Sequence, residues 1–214
     1  MHRIIKSHLD SFVGSEGLGH LEESEQFEMF ANYSTLSPKL IGGVDFESVT
    51  TGDGDDGIDG VAIIVNEELI LSKEDADLVF SQPRRNNEVE LVFVQAKRSE
   101  SFDLGDFLKF KESVLKFITA EQYESNDFTQ LNAFEVYNVV LINVPKIRDG
   151  KPSITLRFIT TGVYQKPHAI ERAKEEFIRQ LEALSYFSNI DLEFIGRDEL
   201  TQLWVASYSG VNAQ

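Results

Sequence analysis

The segment at residues 88–97, EVELVFVQAK, constrains the fold more than any other stretch of the chain. Alternate positions place Leu91 and Phe93 on one face and Val92 and Val94 on the other. A strand that is apolar on both faces is typical of the middle of a sheet that is covered on both sides. The segment therefore predicts an α/β fold with helices on both faces of the sheet.

The remaining hydrophobic patterns predict helices and strands that surround this central strand. Apolar residues at helical spacing indicate helices at residues 21–34, 74–80, 104–120, 169–184 and 199–204. Apolar or β-branched runs indicate strands at residues 44–51, 58–65, 136–144, 154–160 and 191–195. Asp198 is expected to cap the last helix. Together these elements predict one mixed β-sheet flanked by helices.

The length of 214 residues predicts a single domain with short additions at its ends. We assign residues 1–20, a short helix and a loop, to an N-terminal extension. Residues 21–214 form the domain itself, in which a core at about 21–165 precedes a helix–strand–helix extension at about 166–214.

Composition excludes several classes of protein. The chain has no cysteine, which excludes disulfide frameworks, zinc fingers and thiol chemistry. No apolar run has the eighteen or so residues that cross a membrane, and MHRIIKSHLD lacks the apolar stretch of a signal peptide. We therefore expect a cytoplasmic protein that does not bind membranes. A net charge of −16 argues against a general nucleic-acid binder but leaves room for local basic groups.

The stretch DGDDGIDGVAIIVN, residues 53–66, is dense in aspartate. A calcium-binding EF-hand loop that starts at Asp53 would need glycine at position six and glutamate at position twelve, where Ile58 and Ile64 stand. Asp53 and its neighbours Asp55 and Asp56 are instead expected to form a solvated turn between strands, because Asp and Gly favour tight turns.

Asp59 differs from these aspartates because it enters the apolar run on the same face as Val61 and Ile63. A carboxylate at the head of a buried strand needs a partner, and a metal ion suits it. Gln95 and Lys97 interrupt the central strand at its end, on one face. Lys97 alone is equally explained as a strand-end side chain that reaches solvent. Together with Asp59 it predicts a site for Mg²⁺ or Mn²⁺ at one edge of the sheet.

Other catalytic schemes lack their motifs. The four histidines show no metal-ligand spacing, and residues 14–17, GSEG, do not form a G-x-S-x-G nucleophile elbow. The chain has no phosphate-binding G-x-x-x-x-G-K-[ST] sequence. Serine-hydrolase and ATPase chemistry are therefore not indicated.

DDGIDG followed by VQAKR, after a helix that contains FEMF, resembles the PD-(D/E)xK nuclease superfamily, and within it the Mrr-like branch with a Q-x-K strand. The longer pattern IDGVAIIVN to VQAKRSESFDLGDFLKF is similar to the N-terminal part of AIPR (abortive infection phage resistance) proteins. The resemblance spans residues 21–117 closely and FITTG more loosely. It implies a restriction-endonuclease-like core and a Mg²⁺- or Mn²⁺-dependent endonuclease of phage defence, acting on DNA rather than RNA.

The resemblance also implies a role for individual residues. Asp59 is the main metal ligand, Glu28 the acid of the first helix, Gln95 and Lys97 the strand pair, and the carbonyl of Ala96 a further metal ligand. Glu28 shares its helix with other glutamates, which a solvated helix face would equally explain. The loop after the strand carries Arg98, Ser99 and Ser101. These side chains are expected to contact substrate phosphate, and simple exposure of a loop explains them equally well.

Two departures from the family pattern leave an alternative open. Ile58 replaces the proline of the superfamily name, which has little consequence, whereas Gln95 replaces the second acid and removes one negative charge. The alternative is an inactive nuclease fold used for protein binding or dimerisation. A homodimer is expected for an active enzyme that cuts both strands. AIPR proteins are usually longer, so we expect this chain to be the N-terminal part of a larger protein.

Overall fold

A computed structural model describes residues 1–52 and 57–211, with the side chains of 208–211 excepted. Its helices are α1 (Arg3–Glu16), α2 (Glu23–Leu36), α3 (Phe46–Val49), α4 (Lys73–Ser81), α5 (Leu104–Thr119), α6 (Phe128–Ile142), α7 (His168–Leu184) and α8 (Arg197–Val211). Its strands are β1 (Gly60–Val65), β2 (Glu68–Leu69), β3 (Val89–Lys97), β4 (Ser153–Thr160) and β5 (Ile190–Ile195).

Within the described residues, five strands form one mixed sheet in the order β2-β1-β3-β4-β5. Strand β1 is antiparallel to both β2 and β3, whereas β3, β4 and β5 run parallel. The parallel strands are joined by helical crossovers, as parallel pairing requires. The predicted α/β class with a mixed sheet is confirmed.

Two apolar cores cover the two faces of the sheet. The first core contains Leu91 and Phe93 of β3 and packs under α4, α5, α6 and α7. The second core contains Val92 and Val94 of the same strand and packs under α1, α2, α3 and α8. Strand β3 is therefore buried on both faces, as its sequence predicts.

Helix α1 belongs to the second core. Its inward-facing residues Ile5, Leu9 and Phe12 are at most 1% exposed. The ring of Phe12 lies 5.7 Å from that of Phe30 in α2 and 5.9 Å from that of Trp204 in α8. Helices from both ends of the chain thus close the same face of the sheet.

Two predicted strands are wrong. Residues 44–51 contain the short helix α3, which Asp45 caps by accepting a hydrogen bond from the Ser48 amide at 3.0 Å. Only Thr50 makes a β-bridge there, with Gly60. Residues 136–144 fall mainly in α6, which Asp127 caps through the Gln130 amide. Helix α6 packs against both α4 and β1, so most of its sides are apolar and it lacks the helical periodicity of a surface helix.

Smaller corrections concern Asp198 and Asp59. Asp198 lies in the first turn of α8 rather than at its cap. Asp59 directly precedes β1, although its amide still donates to the Val94 carbonyl at 2.8 Å. The predicted turn at Asp53, Asp55 and Asp56 lies outside the described residues. In the part of the chain that the structure describes, every helix is too short or too polar to cross a membrane.

Candidate active site

The strand directions bring four chain segments to one edge of the sheet. Strands β3, β4 and β5 are parallel, so they end at the same edge of the sheet. Strand β1 runs antiparallel to β3, so it begins at that edge. Asp59 precedes β1, residues 95–97 end β3, and Thr160 ends β4. In open α/β sheets, ligands commonly bind outside the carboxyl ends of parallel strands. This edge is therefore the expected location of a site.

The carboxylate of Asp59 is hydrogen-bonded to the end of β3. Its Oδ2 accepts a hydrogen bond from the Gln95 side-chain amide at 2.7 Å and another from the Ala96 backbone amide at 2.7 Å. Within the described residues, Oδ1 of Asp59 accepts no hydrogen bond. Asp59, Gln95 and Ala96 thus form one contiguous group, as their sequence positions predict.

Burial raises the pKa of Asp59 because the charged carboxylate loses solvation. The Ala96 amide, the positive charge of Lys97 and the Gln95 amide each lower this pKa, but burial outweighs them. Asp106 adds to the increase through its negative charge. A carboxylate held at such a cost, with one oxygen that accepts no hydrogen bond from the described residues, is suited to bind a cation.

Gln95 is 1% exposed, and only one of its two side-chain polar atoms has a hydrogen-bond partner among the described residues. Its Nε2 donates to Asp59, whereas its Oε1 is buried without a hydrogen-bond partner among the described residues. Buried polar atoms nearly always have a partner, so an orphan oxygen needs an explanation. A half-turn of the amide exchanges the two atoms and brings Oε1 beside Asp59, which is favourable only if a cation or a proton lies between the oxygens.

A cleft of about 380 Å³ lies beside this group. The predicted site residues that line it are Glu28, Ala96, Lys97, Arg98 and Ser99. The lining also includes Ser24 and Asp106. Ser101 lies outside this lining, and its carbonyl accepts the hydroxyl of Ser99 at 3.1 Å. The structure thus brings the helix acid and the strand lysine to one cleft but leaves Ser101 in the exposed loop.

Arg98, which lines the cleft, stands at one end of a chain of ion pairs. Its Nη1 lies 3.2 Å from Oε1 of Glu23, whose Oε2 lies 3.0 Å from Nζ of Lys6. Lys6 also contacts Asp10 at 2.8 Å. The hydrogen bond from Lys6 is the main cause of the lowered pKa of Glu23. The ion pair between Arg98 and Glu23 must therefore break before the positive charge of Arg98 is fully available to a phosphate.

The loop after β3, which carries Arg98 and Ser99, is fixed to the end of β4. Thr161 donates from its amide to the Ser99 carbonyl at 3.0 Å and from its hydroxyl to the Arg98 carbonyl at 2.9 Å. Gly162 follows, and a Cβ atom there would lie 2.6 Å from the carbonyl carbon of Glu100. The FITTG sequence therefore ends in glycine because the neighbouring loop passes directly over it.

The described residues contain no group of three or more His, Asp or Glu side chains arranged to hold a metal ion. Mg²⁺, however, commonly binds one or two carboxylates and keeps several waters. Asp59 is bonded to Ala96, which lines the cleft together with Glu28. The two carboxylates are of the kind that Mg²⁺ binds.

Two residues of the site were missed in the sequence. Asp106 lies in the first turn of α5, where an acid is ordinarily explained by the helix dipole. Asn32 lies four residues after Glu28 in α2, and it is 1% exposed. An amide next to the apolar stripe residues Phe30 and Ala31 of the predicted helix was the available signal, because a buried amide needs a partner.

The chain matches no protein-family model, and comparisons with curated proteins and with solved structures give no match. Its class therefore rests on the fold and the site: an α/β protein whose acid, amide and lysine meet at one edge of a mixed sheet.

Proposed function

We propose that the chain is a Mg²⁺-dependent endonuclease of the PD-(D/E)xK superfamily, of the Mrr-like and AIPR type, that cleaves DNA in phage defence. One observation carries the proposal. The carboxylate of Asp59 is bonded to Gln95 and Ala96 of β3, next to the cleft that Lys97 and Glu28 line. Acid, amide and lysine thus stand in the order and at the sheet edge that the Q-x-K resemblance implies.

The metal ligands would be Asp59, the Ala96 carbonyl, Glu28 and, after its amide turns, Gln95. The bound ion polarises a phosphate and lowers the pKa of a water, which is the usual contribution of Mg²⁺ to phosphodiester hydrolysis. Gln95 contributes no charge, so the site would carry one negative charge fewer than a site with a second acid.

The remaining roles belong to positively charged and hydroxyl groups of the chain. Lys97 would orient the attacking water and stabilise negative charge that develops on the phosphate oxygens, because a fixed ammonium is most effective where charge appears. Arg98 and Ser99, on the loop fixed by Thr161, would hold the flanking phosphate. Ser101 would contact substrate only if this loop rearranged.

The test is cleavage of single- and double-stranded DNA and RNA with and without Mg²⁺. Lys97→Ala is expected to lower the rate about 10²- to 10³-fold, as loss of a charge-stabilising group does. Asp59→Ala is expected to abolish the Mg²⁺-dependent cleavage. Lys73→Ala and Asp77→Ala, which remove exposed charges from α4, are matched controls that keep the rate. Equal residual cleavage by all variants would identify a contaminant and refute the proposal.

A second candidate function is an inactive nuclease fold that binds protein partners or dimerises. The net charge of −16, the neutral Gln95 and the pairing of Arg98 with Glu23 all weaken attraction to phosphate and favour this candidate. Absence of both cleavage and Mn²⁺ binding at Asp59 would support it.

A further inference from the structure

Asn32 connects the helix that carries Glu28 to the strand that follows Asp59. It lies one helical turn after Glu28, so the two side chains project from the same side of α2. Glu28 lines the cleft, whereas Asn32 is 1% exposed. The helix thus presents one polar residue to the cleft and one to the sheet beneath it.

The amide of Asn32 holds the backbone at Asp59. Its Nδ2 donates to the Asp59 carbonyl at 3.0 Å and to Oγ1 of Thr50 at 2.9 Å. The Asp59 carbonyl also accepts from the Thr51 amide at 3.3 Å. The carbonyl that Asn32 holds and the carboxylate that β3 holds belong to the same residue, so Asp59 is fixed from both sides of the sheet.

Gly60 makes this contact sterically feasible. A Cβ atom at position 60 would lie 2.5 Å from Cγ of Asn32 and 2.6 Å from its Nδ2. Any side chain there would displace the amide. The glycine after Asp59, which the sequence motif IDG contains, is therefore explained by the approach of Asn32 rather than by a turn.

Oδ1 of Asn32 has no hydrogen-bond partner among the described residues, although it is buried. An unsatisfied buried oxygen costs free energy, and a smaller apolar residue would avoid that cost. This unsatisfied oxygen offsets part of the stability that the two Nδ2 hydrogen bonds contribute, and residues that break such a local rule commonly serve a site.

We propose that Asn32 is a positioning residue that sets the separation between Glu28 and Asp59 and thereby the metal affinity of the site. The inference rests on the proposed function. Partners that hold metal ligands in place typically change metal affinity about 10- to 100-fold when they are removed. Asn32→Ala is accordingly expected to weaken Mn²⁺ binding by at least about 10-fold.

Asn87 provides a matched control. It is also 1% exposed, and its Nδ2 donates to the Lys146 carbonyl at 3.0 Å and to the Arg84 carbonyl at 3.3 Å, far along the sheet from Asp59. Asn87→Ala should destabilise the fold without changing Mn²⁺ binding. Thr50→Val removes the other acceptor of the Asn32 amide with little change of shape. It should loosen the Asn32 side chain and weaken Mn²⁺ binding in the same direction, so it serves as the test if Asn32→Ala fails to fold.

The experiment measures Mn²⁺ binding by electron paramagnetic resonance and the Ala96 amide resonance by NMR. Asn32→Ala should weaken binding and move the Ala96 resonance, because that amide donates to the Asp59 carboxylate. Asn87→Ala should do neither. If the wild type binds Mn²⁺ through Asp59 and Asn32→Ala binds it equally well, the inference alone fails. If wild type and Asp59→Ala bind Mn²⁺ equally, the proposed function fails as well.

Discussion

The contact between Gly60 and Asn32 makes a quantitative prediction about stability that is independent of any metal. In the wild type, a Cβ at position 60 would overlap the Asn32 amide. Gly60→Ala must therefore expel the Asn32 side chain from its buried position. In an Asn32→Ala background the three atoms nearest to that Cβ are absent, so the same substitution is relieved of this overlap.

The expected magnitudes follow from the hydrogen bonds. Asn32→Ala removes two bonds, to Asp59 and Thr50, each worth about 1 kcal/mol, so it should cost about 2 kcal/mol. Gly60→Ala loses the same two bonds and adds strain, for a cost of about 2–4 kcal/mol. In the Asn32→Ala background, Gly60→Ala should instead gain about 0.5–1 kcal/mol, because alanine is favoured over glycine in a strand.

Urea unfolding followed by circular dichroism measures all four corners of this double-mutant cycle. We expect a coupling energy of about 2.5–5 kcal/mol, well above the ~0.5 kcal/mol that independent sites show. Gly42→Ala is the control, since a Cβ at that position meets nothing within 4 Å. Additive costs for Gly60→Ala and Asn32→Ala would mean that the two residues do not touch, and the positioning argument would lose its basis.

Three further predictions concern other parts of the chain. Glu23→Gln removes the ion pair of Arg98 and should therefore tighten binding to single-stranded DNA. In anisotropy titrations, the slope of log affinity against log salt concentration should steepen by up to about one. An unchanged slope would contradict the pairing. Burial raises the pKa of Tyr137 above its usual 10.0, so stability should fall as pH rises through 10.0, where the unfolded state ionises first. Tyr137→Phe should move the alkaline unfolding midpoint, followed by absorbance at 295 nm, to higher pH; an unchanged midpoint would argue against this. Gly162→Ala should cost about 2 kcal/mol or more because of its backbone overlap, whereas Gly42→Ala should stay within about 0.5 kcal/mol in the same thermal melts.

The sequence correctly predicted the features that follow from the alternation of side chains along a strand. The period of two in residues 88–97 correctly places Leu91 and Phe93 in one core and Val92 and Val94 in the other. The same period places Gln95 on the face where Asp59 bonds to it. These predictions hold because strand geometry fixes side-chain direction without reference to distant residues.

The sequence failed where tertiary packing decides. Residues 136–144 are apolar enough for a buried strand, yet residues 136–142 belong to α6, which packs against both α4 and β1. A short apolar run fits either structure, and only the cap at Asp127 distinguishes them. The role of Asn32 was equally hidden, because its partner Asp59 is 27 residues away and the contact depends on how α2 crosses the sheet.

The edges of the sheet bear on how copies of the chain would associate. One edge is β2, which is two residues long, and the other is β5, where Asp191 and Glu193 flank Arg157 of the neighbouring strand. Very short or charged edge strands are poor templates for intermolecular backbone pairing. Two copies would therefore not merge their sheets readily, and an association between copies of the chain would instead involve helices or loops.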